Sequence, residues 1–183
     1  MAKRLPDFIQ NAFDRRGHQH YGEALTQSAH MLQCAYKASQ AGEPEAVIIA
    51  ALLHDFGHLI EDAEQALTDH IDAEHEALGA AFLSRYFPPS VTRPIALHVA
   101  AKRYLCLIEP GYLDQLSDAS LLTLRLQGGP FTQQQAAVFK ADPFSAEAIR
   151  LRRYDECGKA IGIDVPDLES YAPMLVRNMV KAA

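Results

Sequence analysis

Apolar residues recur at helical spacing along almost the whole chain. Leu5, Phe8, Ile9 and Phe13 make one such stripe. Met31, Leu32, Ala35 and Tyr36 make another, inside a helix expected over Glu23 to Ala41. Ala46 to Asp55 is apolar on most faces, which predicts a buried central helix with Gly57 as its stop signal. Ala73 to Phe87 reads as a helix closed by Pro88-Pro89, and Ser90 or Thr92 is expected to cap the next, which runs to about Leu105. Glu109-Pro110-Gly111 reads as a turn, Ser117-Asp118 as the cap of a short helix to Leu126, and Gln127-Gly128-Gly129-Pro130-Phe131 as a sharp break. Thr132 and Gln135 stand at capping-box spacing. A helix over Ser145 to Ile161 carries Asp155, a turn follows at Asp164 to Pro166, and Leu168 to Val180 closes the bundle. No segment alternates as a strand does, and no repeat or linker divides the chain. The pattern therefore predicts an all-α bundle, one domain over residues 1–183.

Composition narrows the function. A chain of 183 residues, 49% apolar and 22% charged, can bury a sizeable core and is ordinary for a soluble domain. The net charge of -6 argues against nucleic-acid or anionic-membrane partners, both of which want a basic face. No run reaches the length of a membrane span, and no apolar stretch behind Met1 to Pro6 is long enough for a signal peptide. Cys34, Cys106 and Cys157 are odd in number and form no close pair, which predicts reduced thiols in a cytoplasmic protein. An anionic small-molecule substrate is compatible with the negative total if cations gather locally, and Lys102, Arg103, Arg150, Arg152 and Arg153 are candidates for that patch.

The strongest chemical signal is His54-Asp55, at the end of the apolar run and followed by Phe56-Gly57-His58. An ionisable dyad inside a core is expensive unless it is paired or metal-bound. His30, His75, His98 and Asp155 lie at well-separated points on other expected helices. Together the six supply four imidazoles and two carboxylates, enough for two metal ions with open positions for substrate. A donor set of nitrogen and oxygen without thiolate favours iron, manganese or zinc. Adjacent helical residues point about 100° apart, so His54 and Asp55 flank a site rather than share a stripe, and the Asp55 carboxylate has two oxygens with which to bridge two ions. A lone helical histidine is ordinarily a hydrogen-bonded or surface residue, and His18 and His70 read that way.

His30, His54-Asp55 and the late Asp155 follow the H…HD…D pattern of HD domains. Further stretches narrow the match: Gly22-Glu23-Ala24, Gln27, Leu32-Gln33-Cys34-Ala35, His54 to His58, His98 to Leu105 (HVAAKRYL), Leu116 to Ser120 and Leu126 to Pro130 (LQGGP). From about Gly22 to Lys159 the chain resembles the HD-domain mixed-valence diiron organophosphonate oxygenases of the PhnZ type. The resemblance implies a single HD-domain helical bundle and an Fe(II)/Fe(III) pair. It implies O2 as co-substrate and cleavage of the C–P bond of a 1-hydroxy-2-(amino or trimethylammonio)ethylphosphonate. The products would be phosphate and glycine or glycine betaine. It places His30, His54, Asp55 and Asp155 on one iron and Asp55, His75 and His98 on the other, with Asp55 bridging. Substrate would chelate one iron through its 1-hydroxyl and a phosphonate oxygen, and the other would activate O2 for abstraction of the hydrogen at C1.

For substrate the resemblance implies His58, Lys102, Ser120 and Arg152 around the phosphonate, Glu23 at the cationic nitrogen and Gln27 as a further substrate contact. Thr123, three residues after Ser120 on an expected helix, could turn its hydroxyl to the same ligand. The family's Tyr-x-Gly-Glu run has a tyrosine that can occupy an iron position until substrate binds. Here the run is His20-Tyr21-Gly22-Glu23, with the tyrosine one place late, so that role falls to His20, to Tyr21 or to neither. Two other readings compete. An HD phosphohydrolase would need only His30, His54, Asp55 and Asp155 and a metal-activated water. A non-catalytic HD domain acting as a sensor or scaffold would be expected to lose ligands, and none is missing.

Overall fold

The structure, a computed structural model, describes residues 4–20, 24–60 and 74–180. Among the described residues there are helices and no strand, as the periodicity predicts. Two extended positions, His20 and Thr26, form an isolated antiparallel bridge.

Helix α1 (Asp7–Arg16) buries Ile9, Ala12 and Phe13. Helix α2 (Gln27–Gln40) starts where the Thr26 side chain accepts a hydrogen bond from the Ala29 N–H. The expected start at Glu23 is thus too early, because Ala24 to Thr26 precede the helix, and Glu23 itself lies outside the described residues. Helix α3 (Glu45–Leu53) is buried from Val47 to Leu53 and apolar all round, so it takes the centre. It packs against α2 and against three helices from later in the chain: α6 (Pro89–Ile108), α9 (Ser145–Cys157) and α10 (Ala172–Asn178). One core joins both ends of the described chain, running from Leu5 and Ile9 through Leu53 and Phe56 to Leu151 and Leu175.

Several boundaries differ from the sequence reading, each for a physical reason. Gly57 does not stop α3. It lies buried inside a further short helix, α4 (Phe56–Ile60). A Cβ on Gly57 would stand 2.0 Å from the His75 carbonyl oxygen, and one on Gly79 would stand 2.8 Å from the Gly57 nitrogen. Glycine is required there so that α4 can touch α5 (His75–Leu83) backbone to backbone. Neither Ser90 nor Thr92 caps α6. Pro88 is the extended N-cap residue and Pro89 the first helical one, where a missing N–H costs nothing. The helix then absorbs Pro94 and continues to Ile108, three residues past the expected end.

Helix α7 (Asp118–Leu126) is capped by Ser117, and α8 (Gln133–Ala141) by the Thr132–Gln135 capping box, as expected. Helix α9 ends at Cys157 rather than Ile161. A Cβ on Gly158 would lie 2.4 Å from Cys34 Sγ, so the chain leaves the helix at the point where it crowds α2. The turn falls at Ile161-Gly162, with Gly162 at φ 74°, instead of Asp164 to Pro166. The closing segment is divided into a 3-10 turn (Leu168–Tyr171) and α10.

Gly57→Ala should destabilise the protein by about 2 kcal/mol or more, because the clash is with backbone and cannot be relieved by a rotamer change. Thermal unfolding checks this. A melting temperature equal to wild type would remove the close approach as the reason for glycine.

Candidate metal centre

Five segments converge on one buried cluster. The α3–α4 junction contributes His54 and Asp55, α2 contributes His30, α5 begins with His75, α6 carries His98 and α9 carries Asp155. All four imidazoles point Nε2 inward. His30 Nε2 lies 3.2 Å from His54 Nε2 and 3.2 Å from Asp155 Oδ1, and His54 Nε2 lies 3.4 Å from Asp55 Oδ2. In a second group, His75 Nε2 lies 3.2 Å from His98 Nε2, and Asp55 Oδ1 lies 3.5 Å from His75 and 3.8 Å from His98. Donors bound about 2.1 Å from one ion are separated by about 3.0–3.4 Å at octahedral or tetrahedral angles. The two groups approach that spacing, and Asp55 turns one oxygen to each.

The outer ring nitrogens fix the tautomers. His30 Nδ1 donates to the Gly158 carbonyl at 3.0 Å, His54 Nδ1 to the Ala51 carbonyl at 3.0 Å and His98 Nδ1 to the Ile95 carbonyl at 2.7 Å. A carbonyl only accepts, so each Nδ1 keeps its proton, and in the neutral ring Nε2 is the nitrogen that offers a lone pair to the centre. His75 Nδ1 faces a carboxylate instead, Glu76 Oε2 at 3.5 Å. The close approach of α9 to α2 at Gly158 thus also sets the orientation of His30.

The electrostatics of the cluster are divided. Burial alone would raise the Asp55 carboxyl, but His54 and His75 hold it well below the usual carboxylate range. Burial is likewise overcome at Asp155, by Arg152, His30 and His54. Burial pushes His98 down to about 3, and His75 and His54 add to the shift. His30 and His75 run the other way: against burial, Cys34 and Asp155 raise His30 and Asp55 raises His75, so a cation binding there would displace protons that the carboxylates attract. Cys34 is a neighbour rather than a ligand of the same kind. Its sulfur stands 3.8 Å from both nitrogens of His30, off the Nε2 lone-pair axis, and burial pushes its thiol pKa up.

The expected substrate residues form the adjoining wall. Gln27, His58, Lys102, Ser120 and Arg152 line the same cavity as every inward donor but the fully buried His54, and Thr123 joins them. Lys102 is 3% exposed and donates to Thr123 Oγ1 at 2.9 Å. Burial, with Arg152 nearby, lowers its pKa to about 7. His58 stacks on His75 with ring centroids 4.0 Å apart, and burial and His75 hold it neutral. Arg152 is more committed than the sequence suggests: it pairs with Asp155 Oδ2, donates from Nε to Glu156 at 3.0 Å and to the Tyr112 hydroxyl at 3.2 Å, and reaches Ser120 Oγ at 3.4 Å. It therefore holds one oxygen of Asp155 while the other faces His30.

The cationic patch is smaller than the sequence suggests, since three of its five expected members are engaged elsewhere. Arg153 pairs with Glu109, and Arg150 with Glu43 and Glu147. Arg103 donates to the carbonyls of Gly128 and Gly129 and sits over the Phe131 ring. That contact explains why HVAAKRYL and LQGGP occur together: the first clamps the second. Tyr21 and Glu23 lie outside the described residues, and so does His70; His20 is described and exposed, and it does not line the cavity. Sequence reasoning missed Lys159, which lines the cavity, along with the partners Tyr112, Glu156 and Glu76. Lys159 lies beyond the end of α9, where no periodicity could place it.

Comparison with known proteins agrees with this architecture. A family model described as HD domain matches residues 28–147, which include five of the six inward donors but not Asp155. A [1-hydroxy-2-(trimethylamino)ethyl]phosphonate dioxygenase (glycine-betaine-forming) of Leisingera caerulea is 43% identical over 97% of this chain and 91% of its own. A hydroxymethylphosphonate dioxygenase of Gimesia maris is 42% identical over 85% and 78%. An uncharacterized protein, L432, of Acanthamoeba polyphaga mimivirus is 33% identical over 93% and 80%.

Loaded with a divalent transition metal and desalted, the protein should retain two ions per chain, and His75→Ala or His98→Ala should retain one. Metal analysis of the two variants decides this, and full occupancy in both would remove these residues from the ligand set.

Proposed function

The chain belongs to the HD-domain family, and from that premise we propose that it is a mixed-valence diiron oxygenase cleaving the C–P bond of a 1-hydroxyphosphonate. The observation that carries the reading is the division of the Asp55 carboxylate between two donor groups, Oδ2 toward His54 and Oδ1 toward His75, beside a wall bearing Lys102 and Ser120. The two phosphonate relatives are named for substrates that share one unit, a hydroxyl on the carbon bonded to phosphorus. Both names also specify oxygen chemistry. Zinc has no redox chemistry, so oxygenation leaves iron or manganese among the metals suited to these donors, and the resemblance to the diiron oxygenases selects iron.

His30, His54, Asp55 and Asp155 would hold one iron and Asp55, His75 and His98 the other. Such a pair supplies reactivity toward O2 and Lewis-acidic positions for a hydroxyl and a neighbouring phosphonate oxygen. Lys102, Ser120, His58, Gln27 and Arg152 bind the phosphonate in this reading, Arg152 also steadying Asp155. In this reading Glu23 recognises the cationic nitrogen of a 2-amino or 2-trimethylammonio substrate, and the displaceable-ligand role falls to Tyr21 or to neither residue, since exposed His20 does not line the cavity. The reaction balances without an outside reductant: RCH(OH)PO3H2 and O2 give RCO2H and H3PO4. The products are phosphate with glycine or glycine betaine. We take residues 1–183 as one HD domain, since Leu5 and Leu175 share a core. We place it in the cytoplasm on its free thiols. No helix among the described residues is long and apolar enough to cross a membrane.

Phosphate release from 1-hydroxy-2-aminoethylphosphonate or its trimethylammonio analogue by iron-loaded protein should require O2 and consume it mole for mole. Release at an unchanged rate under strict anaerobiosis would instead assign the site to a phosphohydrolase.

Lys102 generates a second test. A desolvated ammonium is costly until an anion arrives, so Lys102→Met should stabilise the substrate-free protein, on the order of 1–4 kcal/mol. The same change should weaken phosphonate binding at least about 30-fold. The sign of the pH dependence follows from the lowered pKa. Between about 7 and the ordinary 10.5, the unfolded chain holds a proton that the folded protein lacks, so wild-type stability rises with pH across that window. The gain from Lys102→Met should therefore be largest below about pH 7 and shrink as pH rises to 10.5. Lower stability with unchanged phosphonate affinity would reverse this assignment.

A further inference from the structure

Two hydroxyls stand three residues apart on α7, at Ser120 and Thr123, and the structure uses them differently. Thr123 Oγ1 accepts from Lys102 Nζ at 2.9 Å and donates its hydrogen to the Ser120 carbonyl at 3.2 Å. Its donor capacity is consumed by its own helix. Ser120 Oγ receives two hydrogen bonds, from Lys159 Nζ at 3.2 Å and from Arg152 Nη2 at 3.4 Å. A hydroxyl has two acceptor lone pairs and one hydrogen. With both lone pairs turned to cations, its hydrogen is what remains, and Ser120 lines the cavity beside the inward donors.

Lys159 also fixes the helix that presents this hydroxyl. Its Nζ donates at 2.9 Å to Ser117 Oγ, the N-cap of α7, which itself accepts from the Ser120 N–H at 3.2 Å. Ser120 is thus tied to Lys159 through both its side chain and its backbone.

We infer that Lys159 is a positioning residue for the anionic end of the substrate: bound to Ser120 Oγ alongside Arg152, it makes the serine hydroxyl a donor into the cavity. The inference rests on the phosphonate reading. It matters because an unoriented hydroxyl can present a lone pair as readily as a hydrogen, and a compact oxyanion binds donors and is repelled by lone pairs. Lys159 acts through another side chain, which separates it from Lys102, a direct cation of the wall.

The test uses metal-loaded full-length protein and methylphosphonate, which carries the anionic end without the reactive hydroxyl. Titration calorimetry gives its affinity for wild type, Lys159→Met, Lys159→Arg, Ser120→Ala and the Lys159→Met/Ser120→Ala double variant, with metal content measured in each. A hydrogen bond to a charged group is worth roughly ten- to a hundredfold in an equilibrium. Lys159→Met and Ser120→Ala should each weaken binding by about tenfold or more, with metal content unchanged and Lys159→Arg restoring most of the loss. The double variant should lose clearly less than the product of the two single losses, because the residues share one contact. Wild-type affinity in Lys159→Met, or losses that multiply in the double variant, would overturn the inference while leaving the phosphonate reading intact. Failure of the wild-type protein to bind methylphosphonate would overturn both.

Discussion

Two buried carboxylates govern this structure. Asp55 and Asp155 sit in a cluster of imidazoles where ionisation without compensating positive charge is prohibitive. Protons on histidines are only a partial remedy: His30 and His75 are raised against burial, with Asp155 and Asp55 among the causes, while burial draws His98 down to about 3. The arrangement calls for cations at two points, one for each oxygen of Asp55. Much of the fold is explained by that requirement. The α3 run is interrupted at His54 so that two adjacent residues diverge into the cluster, and Gly57 and Gly79 let the backbone carrying His75 come close enough to reach it.

A second regularity links this cluster to the cavity wall. Three helices carry an inward donor together with a wall residue one turn away: Gln27 with His30 on α2, His98 with Lys102 on α6, Arg152 with Asp155 on α9. Spacings of three and four place such pairs on one helical face. Orienting a helix for the donor therefore orients the wall as well. The drawback is shared failure, since tilting α6 displaces His98 and Lys102 together.

The degree to which the chain could be read follows from what each signal depends on. Helix identity depends on local periodicity, so the helices and the caps at Ser117 and Thr132 were legible. Boundaries depend on neighbours. Gly57 resembles a stop signal until α5 is seen against it, and Gly158 ends α9 because Cys34 of another helix stands there. The inward donors were legible because His54-Asp55 closes a core run, where an ionisable pair is too costly to keep unless charge or metal meets it. The fate of the cations was not. Arg103, Arg150 and Arg153 look like Lys102 in sequence, and only their partners show that they serve a loop and surface carboxylates. Lys159 was invisible for the converse reason: it lies past the end of its helix, and its role comes from Ser117 and Ser120, about forty positions earlier in the chain.

Arg152 joins the two electrostatic demands of the site. The inward cluster needs cations beside its carboxylates, while the wall needs cations to face an anion, and the two regions are contiguous. A guanidinium answers both because it is permanently charged and presents donors in several directions at once. Arg152 meets Asp155 with Nη1 and Ser120 with Nη2, and its Nε is anchored by Glu156 and Tyr112. Lysine could not divide itself this way: its ammonium is a single point charge, and Lys102 shows what burial does to one, with its pKa drawn down to about 7. The division of labour follows from these properties. The permanently charged side chain is fixed between the carboxylate and the hydroxyl, and the titratable one is left to respond to the ligand.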